Sequence, residues 1–205
     1  MDEPSDDALM ERYARHADQA AFDVLFRRHA PRLKGYFVRT TGRDDLAADF
    51  VQQTFLHLHR ARADFRSGAA FRPWLYAIGA NVRREHFRRA ARRPETALDP
   101  ERHPEPARPP DVSTATDRAL RRALAQLPEA QREVIVLHWY QDLGFGEIAT
   151  LLGGTETAIK VRAHRAYERL REALGVSVKP LGPGGNRGGR PPVVPSTPPS
   201  GSSAP

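Results

Sequence analysis

Proline placement constrains this chain more than any other feature. Of its eighteen prolines, six lie between Pro94 and Pro110 and eight between Pro180 and Pro205. Proline donates no backbone hydrogen bond and fixes φ, so neither block can sit inside a long helix or a central strand. The stretch 93–116 adds Glu, Arg and Asp with no aromatic residue, too little apolar surface to offset the entropy of ordering. It reads as a flexible linker. From Val176 onward 19 of 30 residues are Pro, Gly or Ser and none is aromatic, which is the composition of a disordered tail over 175–205. Two segments remain that can fold, 5–92 and 117–174.

Both segments carry helical periodicity. Leu46, Phe50, Val51, Phe55 and Leu58 form an apolar stripe over Asp44–Ala61, while Asp45, Asp49, Gln52 and Gln53 mark the opposite face. Ala20–Phe37 repeats the pattern with Phe22, Leu25, Phe26 and Leu33, and Pro73 opens a run from Trp74 to Ala91 with Leu75, Ile78 and Val82 apolar. The second segment divides into Asp117–Ala125, Pro128–Tyr140, Phe145–Leu152 and Glu156–Leu174, the last capped by Thr155. No stretch alternates with turn dipeptides at its ends, so no sheet is expected. The expected fold is all-α: two small helical domains, a flexible linker and a disordered C-terminal tail.

The charge balance, +7 with a sequence pI near 10.3, favours a polyanionic partner. There is no cysteine, so a disulfide framework, a zinc knuckle and a thiol nucleophile are excluded. No run of eighteen apolar residues exists, and Met1–Glu11 holds five acids and no base, the reverse of a signal peptide. The expectation is a cytoplasmic protein with no membrane insertion. His57 and His59 stand two apart and point to different helix faces, unlike an i, i+4 metal pair. Glu85-His86 lacks a second histidine, and Gly153-Gly154 lacks the lysine of a phosphate loop. With no nucleophile, base and orienting acid in one pattern, the chain reads as a non-enzyme without cofactor, metal or small-molecule substrate.

The basic residues are concentrated. Between Asn81 and Arg93 stand Arg83, Arg84, Arg88, Arg89, Arg92 and Arg93 against Glu85 alone. Asn81, Arg84 and Arg88 share one stripe with Arg83 beside it, placing a base-reading amide among phosphate-binding guanidiniums; a solvated basic helix end has the same composition. Farther on, Phe145–Leu152, the Gly153-Gly154 turn and a helix after Thr155 have the spacing of a helix-turn-helix. Ile159, Ala163, Ala166, Leu170 and Leu174 face inward there, leaving Glu156, Thr157, Lys160, Val161, His164 and Arg165 outward. Lys160 and Arg165 suit phosphates or guanine edges, and Val161 suits a thymine methyl. An ordinary antiparallel helix pair with a charged outer face fits the same pattern.

Three motifs in one register carry a family resemblance. Asp49-Phe-Val-Gln-Gln-Thr-Phe-Leu56, Phe71-Arg-Pro-Trp-Leu-Tyr-Ala-Ile78 with Asn81 and the arginines after it, and Leu127-Pro-Glu-Ala-Gln-Arg-Glu-Val-Ile-Val-Leu137 followed by Phe145–Gly153 resemble extracytoplasmic-function sigma factors. The likeness spans nearly all of 8–174. It implies sigma region two over 5–92, a linker over 93–116, region four over 117–174 and an additional tail over 175–205. By the resemblance, Asp49, Gln52 and Gln53 dock on the clamp of the largest RNA polymerase subunit. Asn81, Arg83, Arg84 and Arg88, with Asp64, Phe65 and Ser67 of the loop 62–70, bind and open the minus-ten element. Thr155, Thr157, Lys160, Val161, His164 and Arg165 meet the minus-thirty-five element. The expected partners are core RNA polymerase, promoter DNA and an anti-sigma factor.

Two positions depart from the family pattern: Gly144 replaces a Ser or Thr cap and Gly154 an apolar turn residue. A stand-alone DNA-binding regulator is the competing reading, and it has no need of the Asp49/Gln52/Gln53 face.

Overall fold

The structure is a computed structural model and describes residues 3–92 and 115–175. Among these residues every regular element is helical. The expected linker lies almost wholly, and the expected tail all but Gly175, outside the described residues.

Helix α1 spans Asp6–His16, an element that the apolar periodicity did not single out. Ser5 caps it by accepting from the Ala8 amide, and Asp6 and Asp7 occupy the first turn, where negative charge complements the helix dipole. Asp18 caps α2, Gln19–Thr41, which continues through Pro31 and ends at Gly42 in the left-handed region. Helix α3 spans Asp44–Arg60. A 3₁₀ turn at Arg62–Asp64 and a short loop lead into α4, Phe71–Arg92. Pro73 therefore lies at the third helical position.

The four helices close around Leu25, Leu33, Phe37, Leu58, Phe71 and Leu75, all fully buried. Gly79 permits the crossing of α4 over α2: a Cβ there would lie 3.3 Å from both Leu33 Cδ1 and the Phe37 ring. The expected stripe on α3 holds, with Phe50, Val51, Phe55 and Leu58 buried and Asp49, Gln52 and Gln53 exposed.

The second domain comprises α5 (Ala115–Gln126), α6 (Glu129–Ile135), α7 (Phe145–Leu152) and α8 (Glu156–Leu174). The single helix expected over Pro128–Tyr140 is divided: Val136–Tyr140 widens into a π turn. That turn keeps Val136 and Leu137 buried while carrying the Tyr140 ring to the Arg39 guanidinium of α2, 4.2 Å away.

The two domains are packed against each other. Val134, Val136, Leu137, Ile148 and Ile159 belong to the same apolar cluster as Leu33, Phe37 and Leu75, with α4 lying on α7 and α2 on α6 and the π turn. A smaller cluster of Leu124, Leu127, Ile135, Ala166 and Leu170 holds α5, α6 and α8 together.

Candidate nucleic-acid interface

A groove of about 940 Å³ runs between α3 and α4. Asp49, Gln52 and Gln53 line one wall; Asn81, Arg84 and Arg88 line the other. Two sets of residues singled out for different partners thus face each other. Arg84 donates to Asn81 Oδ1 at 2.8 Å, so the amide and the guanidinium are already oriented as a unit. Arg88 and Arg89 both pair with Glu85, which lowers the effective charge of the exposed helix end. The result is a moderately basic surface with Asn81 and Arg84 at its centre.

The loop before α4 is held by α1. Glu11 Oε1 accepts from Ser67 Oγ and from the Gly68 amide, each at 2.9 Å, and Asp7 Oδ1 accepts from the Phe71 amide at 2.7 Å. Arg15 donates to Ser67 Oγ. Gly68 has φ +77°, a conformation that favours glycine. Asp64 and Ser67 are exposed. Phe65 is 8% exposed, with its ring edge-on to Trp74 at 5.1 Å.

In the sequence Glu11 and Asp7 stand out only as acidic composition; the local signal near them is the Ser5 cap followed by the first-turn acids Asp6 and Asp7. Hydrogen bonds from Gly68 and Ser67 hold the Glu11 carboxyl below the usual glutamate range. A depressed folded-state pKa stabilises the loop at neutral pH and loses that contribution as pH falls through it. Glu11→Ala should raise the hydrogen-exchange rate of the Gly68 amide several-fold at pH 7; unchanged exchange would show that Glu11 does not hold the loop.

Arg83 sits elsewhere than its neighbours. It is 2% exposed and lies between the domains, donating to Glu129 Oε1 at 2.5 Å and pairing with Glu133 Oε2 at 2.7 Å. Tyr36 donates to Glu133 Oε1 at 2.8 Å. Burial, reinforced by the Glu133 charge, holds the Tyr36 phenol well above its ordinary pKa. In this arrangement the Arg83 guanidinium is closed to solvent.

On the second domain, α8 presents Thr155, Thr157, Lys160, Val161, His164 and Arg165 to solvent, while Ile159, Ala163 and Ala166 are buried. Val161 is 45% exposed, an apolar side chain standing free beside Lys160 and Arg165. Lys160 pairs with Glu156 at 2.6 Å, and Thr155 Oγ1 accepts from the Ala158 amide. Glu147 supplies half of a capping box at α7 by accepting from the Gly144 amide at 2.7 Å; glycine has no side chain for the other half. Gly153, at φ +71°, is the turn residue whose conformation favours glycine, whereas Gly154 has open space and its amide donates to Ala149. The turn is therefore closed despite Gly154.

Among the described residues no group of histidines and carboxylates could hold a metal ion, and no helix is long and apolar enough to cross a membrane.

Two family models match the chain: sigma-70 region 2 over residues 25–93 and sigma-70, region 4 over residues 117–170. The chain is 41% identical over 172 residues to RNA polymerase sigma factor CarQ of Myxococcus xanthus, covering 81% of this chain and 95% of that protein. It is 36% identical over 158 residues to ECF RNA polymerase sigma factor SigM of Mycobacterium tuberculosis, covering 77% and 79%. Its fold resembles that of CnrH in complex with the cytosolic domain of CnrY, with a TM-score of 0.63 and 30% identity over 84% of this chain and 99% of that one. It also resembles sigma factor RpoE in complex with anti-sigma factor NepR from Bartonella quintana, with a TM-score of 0.67 at 24% identity over 77% and 98%.

Proposed function

Because the chain belongs to the extracytoplasmic-function family of RNA polymerase sigma factors, which act in transcription initiation, we propose that it binds core polymerase and directs it to promoters read by two surfaces. The second domain reads duplex DNA at the minus-thirty-five element. The first domain engages the minus-ten element through Asn81, Arg84 and Arg88 with the loop bearing Asp64 and Ser67. Its α3 wall, Asp49, Gln52 and Gln53, docks on the clamp of the largest polymerase subunit. No side chain on either surface is asked to perform chemistry; the protein positions and opens DNA for the polymerase, in the cytoplasm. CnrH was solved in complex with the cytosolic domain of CnrY and RpoE in complex with the anti-sigma factor NepR, and an anti-sigma factor is the expected partner of this chain.

The observation that carries the reading is the face of α8. Six residues of the reading pattern are exposed together, while the opposite face of the same helix is buried. Helix-turn-helix readers place the N-terminal half of this second helix in the major groove. Lys160→Ala and Arg165→Ala should each weaken duplex binding by the full chain and reduce the slope of log K against log salt by about 0.9 for each phosphate contact removed. Wild-type affinity and slope in both variants would place the reading face elsewhere.

A further inference from the structure

The loop 65–70 takes its shape from α1. Leu9, Met10 and Tyr13 are buried and fix that helix against the bundle. Its first turn is tied down as well: Asp6 accepts from Arg28 at 2.9 Å and contacts His29 Nε2 at 2.8 Å, while Asp7 accepts from the Phe71 amide. From this support Glu11 and Arg15, paired one turn apart at 3.7 Å, reach the Ser67 hydroxyl together. Ser67 Oγ donates to Glu11 Oε1 at 2.9 Å and accepts from Arg15 at 3.1 Å. A hydroxyl ordinarily rotates to suit its partner, but both neighbours here have fixed polarity: a carboxylate only accepts and a guanidinium only donates. Hydrogen bonds from the Gly68 amide and Ser67 favour the ionised form of Glu11. The Ser67 proton is therefore committed inward, and Arg15 uses one lone pair. What the exposed hydroxyl still offers is the other lone pair.

We propose that α1 sets promoter specificity: Glu11 and Arg15 fix the direction of the Ser67 hydroxyl, so that the loop meets an unpaired base as an acceptor and selects an amino base over a keto base. This rests on the minus-ten reading proposed above and extends it to residues outside the DNA-facing sets. Adenine and cytosine carry an amino donor where thymine and guanine carry a carbonyl oxygen. A free hydroxyl serves either kind by turning. One locked as an acceptor meets a carbonyl with lone pair against lone pair. Discrimination of this sort comes from a mismatch built against the wrong partner as much as from attraction to the right one. The backbone around Ser67 is fixed to match: the Gly68 amide donates to the same Glu11 oxygen, the Ala69 amide closes on the Arg66 carbonyl at 3.0 Å, and Gly68 takes φ +77°. Neither Glu11 nor Arg15 need touch DNA; both are positioning residues.

The test uses holoenzyme assembled from the full chain and bacterial core polymerase. The probe is a pool of duplexes that share the upstream half of a promoter found by run-off transcription and have the minus-ten element randomised. Open complexes that survive a heparin challenge are recovered and sequenced. With the unmodified chain, keto bases should be depleted about tenfold or more at one position of one strand, the scale of a single mismatched contact. Glu11→Ala frees the hydroxyl to turn and should bring the two kinds of base within about threefold there, leaving the other positions unchanged. Glu11→Gln should retain the depletion, because one oxygen of Glu11 accepts from both Ser67 and Gly68 and the glutamine carbonyl supplies that oxygen. In a Ser67→Ala background, which itself loses the depletion, Glu11→Ala should add nothing.

Acceptance of keto bases at every position by the unmodified chain would overturn the proposal. Depletion that survives Glu11→Ala would do so too, as would a loss of yield spread evenly over all positions, the mark of a merely structural support. Glu11→Gln behaving as Glu11→Ala would assign the effect to charge and not to the direction of the hydroxyl, and overturns it as well. If the unmodified chain yields no open complexes, the sigma reading itself falls and this proposal with it. A working parent with any of the earlier results removes this proposal alone, so the two failures are told apart.

Discussion

Replacing Phe37 by Ala should destabilise the first domain by about 3–5 kcal/mol, the usual cost of emptying a fully buried aromatic site. Phe37 has no exposed surface, and its ring packs 5.1 Å from those of both Tyr36 and Phe50, joining α2 to α3. Gly79 of α4 lies so close that the Phe37 ring is within 3.3 Å of where its Cβ would be. Interiors this closely packed collapse only partly around a missing side chain, so most of the cavity persists. Urea unfolding followed by circular dichroism measures the effect. A loss below about 1 kcal/mol would place Phe37 away from the centre of the core. Because α2, α3 and α4 meet here, the same variant should weaken both walls of the α3–α4 groove.

The second large effect concerns partner binding alone. Asp49→Ala combined with Gln53→Ala should reduce affinity for core polymerase by about 30-fold or more, corresponding to about 2 kcal/mol from a polar pair central to an interface. Both residues are exposed, so the stability of the isolated chain should change by less than about 0.5 kcal/mol. Competition against a labelled copy of the unmodified chain for purified core polymerase gives the ratio. Unaltered affinity with an intact fold would remove this face from the docking surface and leave it as a solvated helix side.

Much of this architecture was legible from periodicity. The α3 stripe separated buried Phe50 and Phe55 from exposed Asp49 and Gln53, and α8 divided into buried Ile159 and Ala163 against exposed Lys160 and Arg165, as their spacing dictates. Local pattern failed where a distant partner decides the outcome. Arg83 and Arg84 are adjacent and chemically alike, yet one is buried because Glu133 and Glu129 come from another domain to meet it. No local rule distinguishes them. The burial of Phe65, with its ring edge-on to Trp74, is likewise not visible in the polar composition of its loop.

Acids near the N-terminus were legible as charge and not as anchors, because the backbone amides of Gly68 and Phe71 that Glu11 and Asp7 accept from lie nearly sixty residues or more along the chain. The packing of the two domains was hidden for the same reason. Val134, Leu137 and Ile148 lie in one apolar cluster with Leu33, Phe37 and Leu75 of the first domain.

The central claim is that this chain confers promoter-specific initiation on polymerase, and run-off transcription tests it most directly. Purified bacterial core polymerase would be supplied with fragments of the source genome, with and without the protein. Discrete transcripts that require the unmodified chain and disappear with Asp49→Ala/Gln53→Ala are the predicted result. No transcripts, together with tight duplex binding in the absence of core polymerase, would contradict the account and identify a DNA-binding regulator that acts alone.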